Sequence, residues 1–251
     1  MTEQMHLIRR SFRGLPFVSD DFDSELLTSM VTNKRRTAFH RTDDDHSEHE
    51  YLTPEAGAGY LSTDQTRPLQ TPWLNADDLP SERMVKVTGA LSSISEHIPA
   101  WSTLLRIPIR FLTPHDPAVI SGSEIYVPQT IGLGEQAFHT SDSLEASLIH
   151  EYAHTWMGLI CEISIIDDGT GGANYRLPSG TARKSLRTVL FAAHFAVACG
   201  RYFGFDSRLI QSPLTYRAYA RDCLTLCQDN RGLTLMGQYV WEELHAQIET
   251  N

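Results

Sequence analysis

No run in this chain of 251 residues approaches the roughly 18 consecutive apolar residues of a membrane-spanning helix. The stretch Met1 to Arg10 lacks the apolar core of a secretory signal. Basic residues are scarce: 21 Lys and Arg stand against 31 Asp and Glu, a formal charge of -10. That balance argues against a basic face gripping nucleic acid or anionic lipid, though not against a local basic pocket. Cysteine is sparse too. Cys161, Cys199, Cys223 and Cys227 show no CxxC spacing, which argues against a zinc ribbon and reads as buried small hydrophobes in a reducing compartment. The expectation is a cytoplasmic protein with no membrane and no nucleic-acid partner. Hydrophobic residues at 41% and charged residues at 21% suffice for a large core without staples.

The chain shows no internal repeat and no sharp boundary. Residues 1–80 read as an N-terminal segment, helical around Ser24 to Thr32, with a basic patch at Lys34, Arg35 and Arg36. Arg41 to Glu50 lacks apolar periodicity and reads as a solvated or mobile acidic loop, and its His46 and His49 belong to that loop rather than to a metal site. Residues 51–80, rich in Pro, Gly, Thr and Asp, read as irregular coil. Residues 81–251 read as the catalytic domain, which forms one compact unit with the N-terminal segment. Met84, Val87, Leu91, Ile94 and Ile98 recur at spacings of three and four, a helix from Ser81 that Pro99 ends. Ile107–Leu112 and Ser123–Val127 read as strands, and Pro128 to Phe138 as a connection.

The next helix begins at Ser141 or Asp142, with Asp142 and Glu145 placed as a capping pair. Its apolar face runs through Leu144, Leu148, Tyr152, Thr155 and Leu159. Residues 166–181 form a loop, followed by helices over about 181–202, 208–228 and 234–249. The predicted fold class is α+β, mainly helical, with the motif helix beside a small sheet and a second His-bearing helix.

His150-Glu151-Tyr152-Ala153-His154 carries the chemistry. Residues four apart on a helix point the same way, so both imidazoles can reach one ion. A buried imidazole pair without a partner would be costly, and a metal satisfies both. Two imidazoles rarely suffice. Glu162 lies too close to fold back from the same helix, and no third His follows within six residues. His194, in the apolar segment Leu190 to Val197, is the best third ligand. The competing reading makes it a core histidine bonded to a backbone carbonyl. His139 and Glu145 are weaker rivals. Imidazole suits zinc, iron, copper and nickel, so ligand type does not name the metal. Arg176, Arg183 and Arg187 surround the turn at Pro178 to Gly180. Arg183 and Arg187 share a helix face that either clamps a carboxylate or is merely solvated.

Val87 to Phe203 resembles the HExxH-motif domain found beside peptide-modifying gene sets. The resemblance runs through the Pro-ended helix Ala90 to Pro99, the Ser-Gly-Ser turn into a strand from Ser121 to Val127 and the motif helix Ala146 to His154. It continues through the segment Tyr175 to Arg183 and the His-bearing helix Val189 to Val197. Two features depart from the family pattern: Pro178 is followed by Ser179 rather than Trp-Arg, and Leu190-Phe191-Ala192 replaces Leu-His-Gly. Some members of that family are iron- and 2-oxoglutarate-dependent β-hydroxylases. The resemblance therefore implies an Fe(II)/2-oxoglutarate-dependent hydroxylase of an amino acid or peptide residue, set in natural-product biosynthesis. His150, His154 and His194 would hold iron, and Arg183, Arg187 or Arg176 would anchor the cosubstrate. The alternative is a zincin-like zinc metallopeptidase or hydrolase with Glu151 as general base. A third reading is a non-catalytic binding module with a structural metal.

Overall fold

The computed structural model describes residues 3–38, 48–62, 76–124, 127–209, 212–228 and 231–250. These residues are mainly helical with one small mixed sheet, the α+β class read from the sequence. They group into two compact units, Ser24–Ile163 and the pair of segments Met1–Asp23 with Ser164–Asn251. The division therefore does not fall at residue 80. Residues on both sides of 80 share a core, because helices before it pack on elements after it.

In the first unit, α2 (Ser24–Ala38) is followed by the single turn α3 (Glu48–Tyr51), α4 (Pro54–Ser62), the short strand β1 (Asp77–Asp78) and α5 (Ser81–His97). Then come β2 (Arg110–Thr113), β3 (Ser121–Glu124), β4 (Val127–Leu133) and the motif helix α6 (Ser141–Ile163). The sheet order is β1-β2-β4-β3. β2 and β4 pair in parallel with Phe111 opposite Ile131, and β1 and β3 are the antiparallel edges. α6 packs on β3 and β4, with α2 and α5 also against it.

α5 matches its periodicity: Val87 and Ile94 are fully buried, and Pro99 opens a 3₁₀ turn just past its end. Three readings need correction. Residues 51–80 are not all coil, since α4 begins at Pro54. Thr53 accepts the Ala56 N–H at 3.1 Å, and Pro54 stands at the first helical position, which needs no N–H donor. Gly57 lets α4 approach closely: a Cβ there would lie 2.5 Å from Pro128 Cγ and 2.8 Å from Arg35 Nη2. Residues 128–133 belong to the strand β4 rather than to a connection. Pro128 sits before the parallel register, which starts at Thr130, and Gln129 turns through a left-handed φ of 54°. Last, α6 is capped by Thr140, whose hydroxyl accepts the Ser143 N–H at 3.0 Å, two positions earlier than the expected capping pair.

The basic patch is also corrected at one residue. Leu27, Val31 and Arg35 lie four apart on α2, and Arg35 is 0% exposed. Its guanidinium holds Glu162 at 2.6 and 2.9 Å, Gln129 Oε1 at 2.9 Å and the Tyr51 carbonyl at 2.8 Å. Gln129 in turn donates to the Leu52 and Pro108 carbonyls, both at 2.9 Å. This network ties α2, the end of α3, β4 and the end of α6 together. The reading of Arg41 to Glu50 as a loop falls mostly outside the described residues.

In the second unit, α1 (Glu3–Phe12), α7 (Leu186–Phe203), α8 (Tyr216–Cys227) and α9 (Leu235–Thr250) surround an apolar centre. α7 packs on α8 and α9, and α1 packs on α9. α7 and α8 start later than their periodicity suggested. Gly180 and Arg183 take left-handed φ values of 89° and 59°, and Tyr175 pairs with Lys184 through the backbone, so α7 waits for its cap at Ser185. Arg208 pairs with Thr215 in the same way, and Thr215 then caps α8. The segment after α1 is a buried strap: Leu15, Phe17 and Val18 are buried, and Gly14 exchanges two hydrogen bonds with the Tyr239 hydroxyl, at 3.0 and 2.8 Å.

Candidate metal centre

α6 is fixed about its axis by side chains that point away from the motif histidines. Tyr152 and Trp156, four apart, donate to the carbonyls of Leu105 and Leu104 at 3.3 and 3.0 Å. Two residues on a helix are about 200° apart, so this anchoring face lies nearly opposite His150 and His154. The two histidines occupy the less covered face and are half-buried. Their Nε2 atoms are 2.9 Å apart, with rings edge to face and centroids 4.5 Å apart. The expected convergence of the two imidazoles is present. Burial holds His150 below its ordinary pKa, against the weaker opposite pull of Glu151, so its ring is neutral near pH 7. Neutral imidazole is the form that ligates a metal.

Glu151 is 2% exposed and does not point at its neighbours in the motif. Ser121 donates to Oε1 at 2.8 Å and Ser123 donates to Oε2 at 2.7 Å. Both serines lie on β3, two residues apart, and the pleat therefore turns both hydroxyls to one face. Neither serine stood out as a site residue in the sequence. The signal was there in the alternation Ser121-Gly122-Ser123 ahead of a β-branched run.

The rest of the expected set is distributed as follows. Glu162 is committed to Arg35. His139 is exposed ahead of α6, and Glu145, five residues before His150, lies about 140° round the helix from it. His194 belongs to the other unit. It is 0% exposed and its Nε2 donates to the Pro16 carbonyl at 2.7 Å, the arrangement of a core histidine. Burial pushes its pKa down to about 4, the Pro16 bond opposing. Arg176, Arg183 and Arg187 are in that unit as well. Arg176 and Arg183 are exposed and Arg187 is half-buried, its backbone N–H bonded to Asp167 at 2.7 Å. Among the described residues, no group of three or more His, Cys, Asp or Glu side chains converges as a metal site. The histidine pair supplies two nitrogen donors suited to one ion.

All four cysteines are free thiols, and burial pushes Cys227 up to about 12 and Cys223 higher still, so both are unreactive thiols near neutral pH. Among the described residues, no helix is long and apolar enough to cross a membrane. No protein-family model matches the chain, and no curated protein matches it.

Proposed function

We propose that the protein is an Fe(II)- and 2-oxoglutarate-dependent hydroxylase acting on an amino acid or a residue of a peptide. The observation that carries this reading is the motif itself: two imidazoles converge on one side of α6 while the carboxylate between them is occupied elsewhere. A zinc hydrolase needs Glu151 to take a proton from water. Here both oxygens accept serine hydroxyls and the side chain is buried, which weighs for a reaction that asks no base of it.

In this reading His150 and His154 hold the ion, and His194 stays bound to Pro16. Bound iron would supply oxygen activation, with 2-oxoglutarate and dioxygen giving succinate and carbon dioxide as one oxygen atom enters a substrate C–H bond. The protein would supply the imidazole pair of His150 and His154 on a helix anchored by Tyr152 and Trp156. A cytoplasmic setting is part of the proposal and accords with the free thiols.

The test is anaerobic loading with Fe(II) followed by optical titration with 2-oxoglutarate. The expected result is a weak visible charge-transfer band that His150→Ala abolishes, together with succinate formation in air. Tightly bound zinc and no band would overturn the hydroxylase in favour of hydrolysis.

A further inference from the structure

Glu151 is buried, bonded at both oxygens and set between two ligand candidates, so its task follows from what its bonds constrain. The two serines belong to the edge strand β3, and the carboxylate belongs to α6. The pair of hydrogen bonds, made by hydroxyls two residues apart on one pleat, resists rotation of the helix against the sheet. A ring nitrogen stands some 5–6 Å from the helix axis, so a rotation of about 10° moves it by about 1 Å. Functional constellations tolerate errors of only about 0.5 Å. Tyr152 and Trp156 also restrain the helix, from the side away from the histidines, through bonds to the Leu105 and Leu104 carbonyls.

We infer that Glu151 is a strut rather than a water-activating base, and that Ser121 and Ser123 are positioning residues that aim His150 and His154. The inference rests on reading that pair as a metal site. It holds for any metal reaction that does not draw on Glu151 as its base, and a zinc hydrolase with Glu151 as base would contradict it.

The probe is Co(II), whose visible spectrum reports coordination, titrated into the full chain. Glu151→Gln keeps the strut, because the amide oxygen accepts from one serine while the amide nitrogen donates to the other. It should bind within a few-fold of the unaltered protein and give the same spectrum. Glu151→Ala and the double variant Ser121→Ala with Ser123→Ala should bind about 10–100-fold more weakly, the usual loss when an outer partner of a metal site is removed. Their spectra should also change. The double variant Ser121→Thr with Ser123→Thr restores both hydroxyls on residues that suit a strand, and should recover binding. Circular dichroism checks that each variant is folded.

Co(II) binding by Glu151→Ala at the original affinity and spectrum would overturn the strut, as would an unchanged Ser-to-Ala double variant. Failure of the unaltered protein to bind Co(II) would remove the metal site and the strut together. Cobalt results as expected, with no 2-oxoglutarate band on the iron-loaded protein, would leave the strut standing and overturn only the hydroxylase.

Discussion

At the scale of single residues, the three histidines of the expected ligand set divide by environment. His150 and His154 face each other across 2.9 Å, whereas His194 is enclosed and bonded to Pro16. An ion at 100 times its Kd stabilises the state that binds it by about 2.7 kcal/mol. Thermal unfolding with and without Co(II) should therefore show a shift that vanishes in His150→Ala and His154→Ala. His194 carries a different signature. Its folded pKa of about 4 lies below the ordinary 6.5, so between those values the unfolded chain takes a proton that the folded chain refuses. Its stability contribution is complete above pH 6.5, falls as pH drops toward 4, and falls no further below. His194→Gln keeps an N–H donor for Pro16 and removes the titration. It should flatten that part of the acid limb by on the order of 3 kcal/mol, read from denaturation midpoints across pH. A loss of metal binding in that variant would instead return His194 to the ligand set.

At the scale of elements, the fold around the motif helix α6 depends on close approach and on a buried ion pair. Ala at Gly57 would gain about 1 kcal/mol of helix propensity. Its Cβ would also collide with Pro128 and Arg35, so Gly57→Ala is expected to destabilise the protein by about 1–3 kcal/mol. Arg35→Ala or Glu162→Ala leaves a charge without its partner in the core, at a cost of about 3–5 kcal/mol. The double variant Arg35→Met with Glu162→Leu should cost much less. Urea denaturation of the three proteins measures the difference, and equal losses in all three would refute the buried-pair account. Arg35 was legible in part. It continues the stripe of Leu27 and Val31, but a guanidinium in a run of three basic residues reads as surface until its acceptors are seen. β4 was less legible, because Pro128 and Gly132 interrupt a strand whose burial comes from β2, β3 and α6 around it.

At the scale of the whole molecule, the chain visits one unit, leaves it at Asp23 and returns at Ser164. Local periodicity carries no information about such a return, which is why the sequence showed no boundary at either point. Deleting residues 1–23 removes Leu15, Phe17 and Val18 from a core, the Tyr239 bonds to Gly14 and the carbonyl that holds His194. Hydrogen exchange should then show lost protection in α7 and α9 and retained protection in α6 and the sheet. Unchanged protection in α7 and α9 would refute the account of the strap as core.

What the sequence determined by itself was whatever depends on neighbours in the chain. The helical class, the span of α5 and α6 and the pairing of His150 with His154 all follow from spacings of three and four, because a helix brings those residues together without help from the fold. What only the tertiary structure decided was which partner each polar side chain meets. Glu151 with Ser121 and Ser123, Arg35 with Glu162, and His194 with Pro16 are separated by 28 to 178 residues. A buried polar group must find a partner wherever the chain supplies one, and that choice is made by packing rather than by spacing.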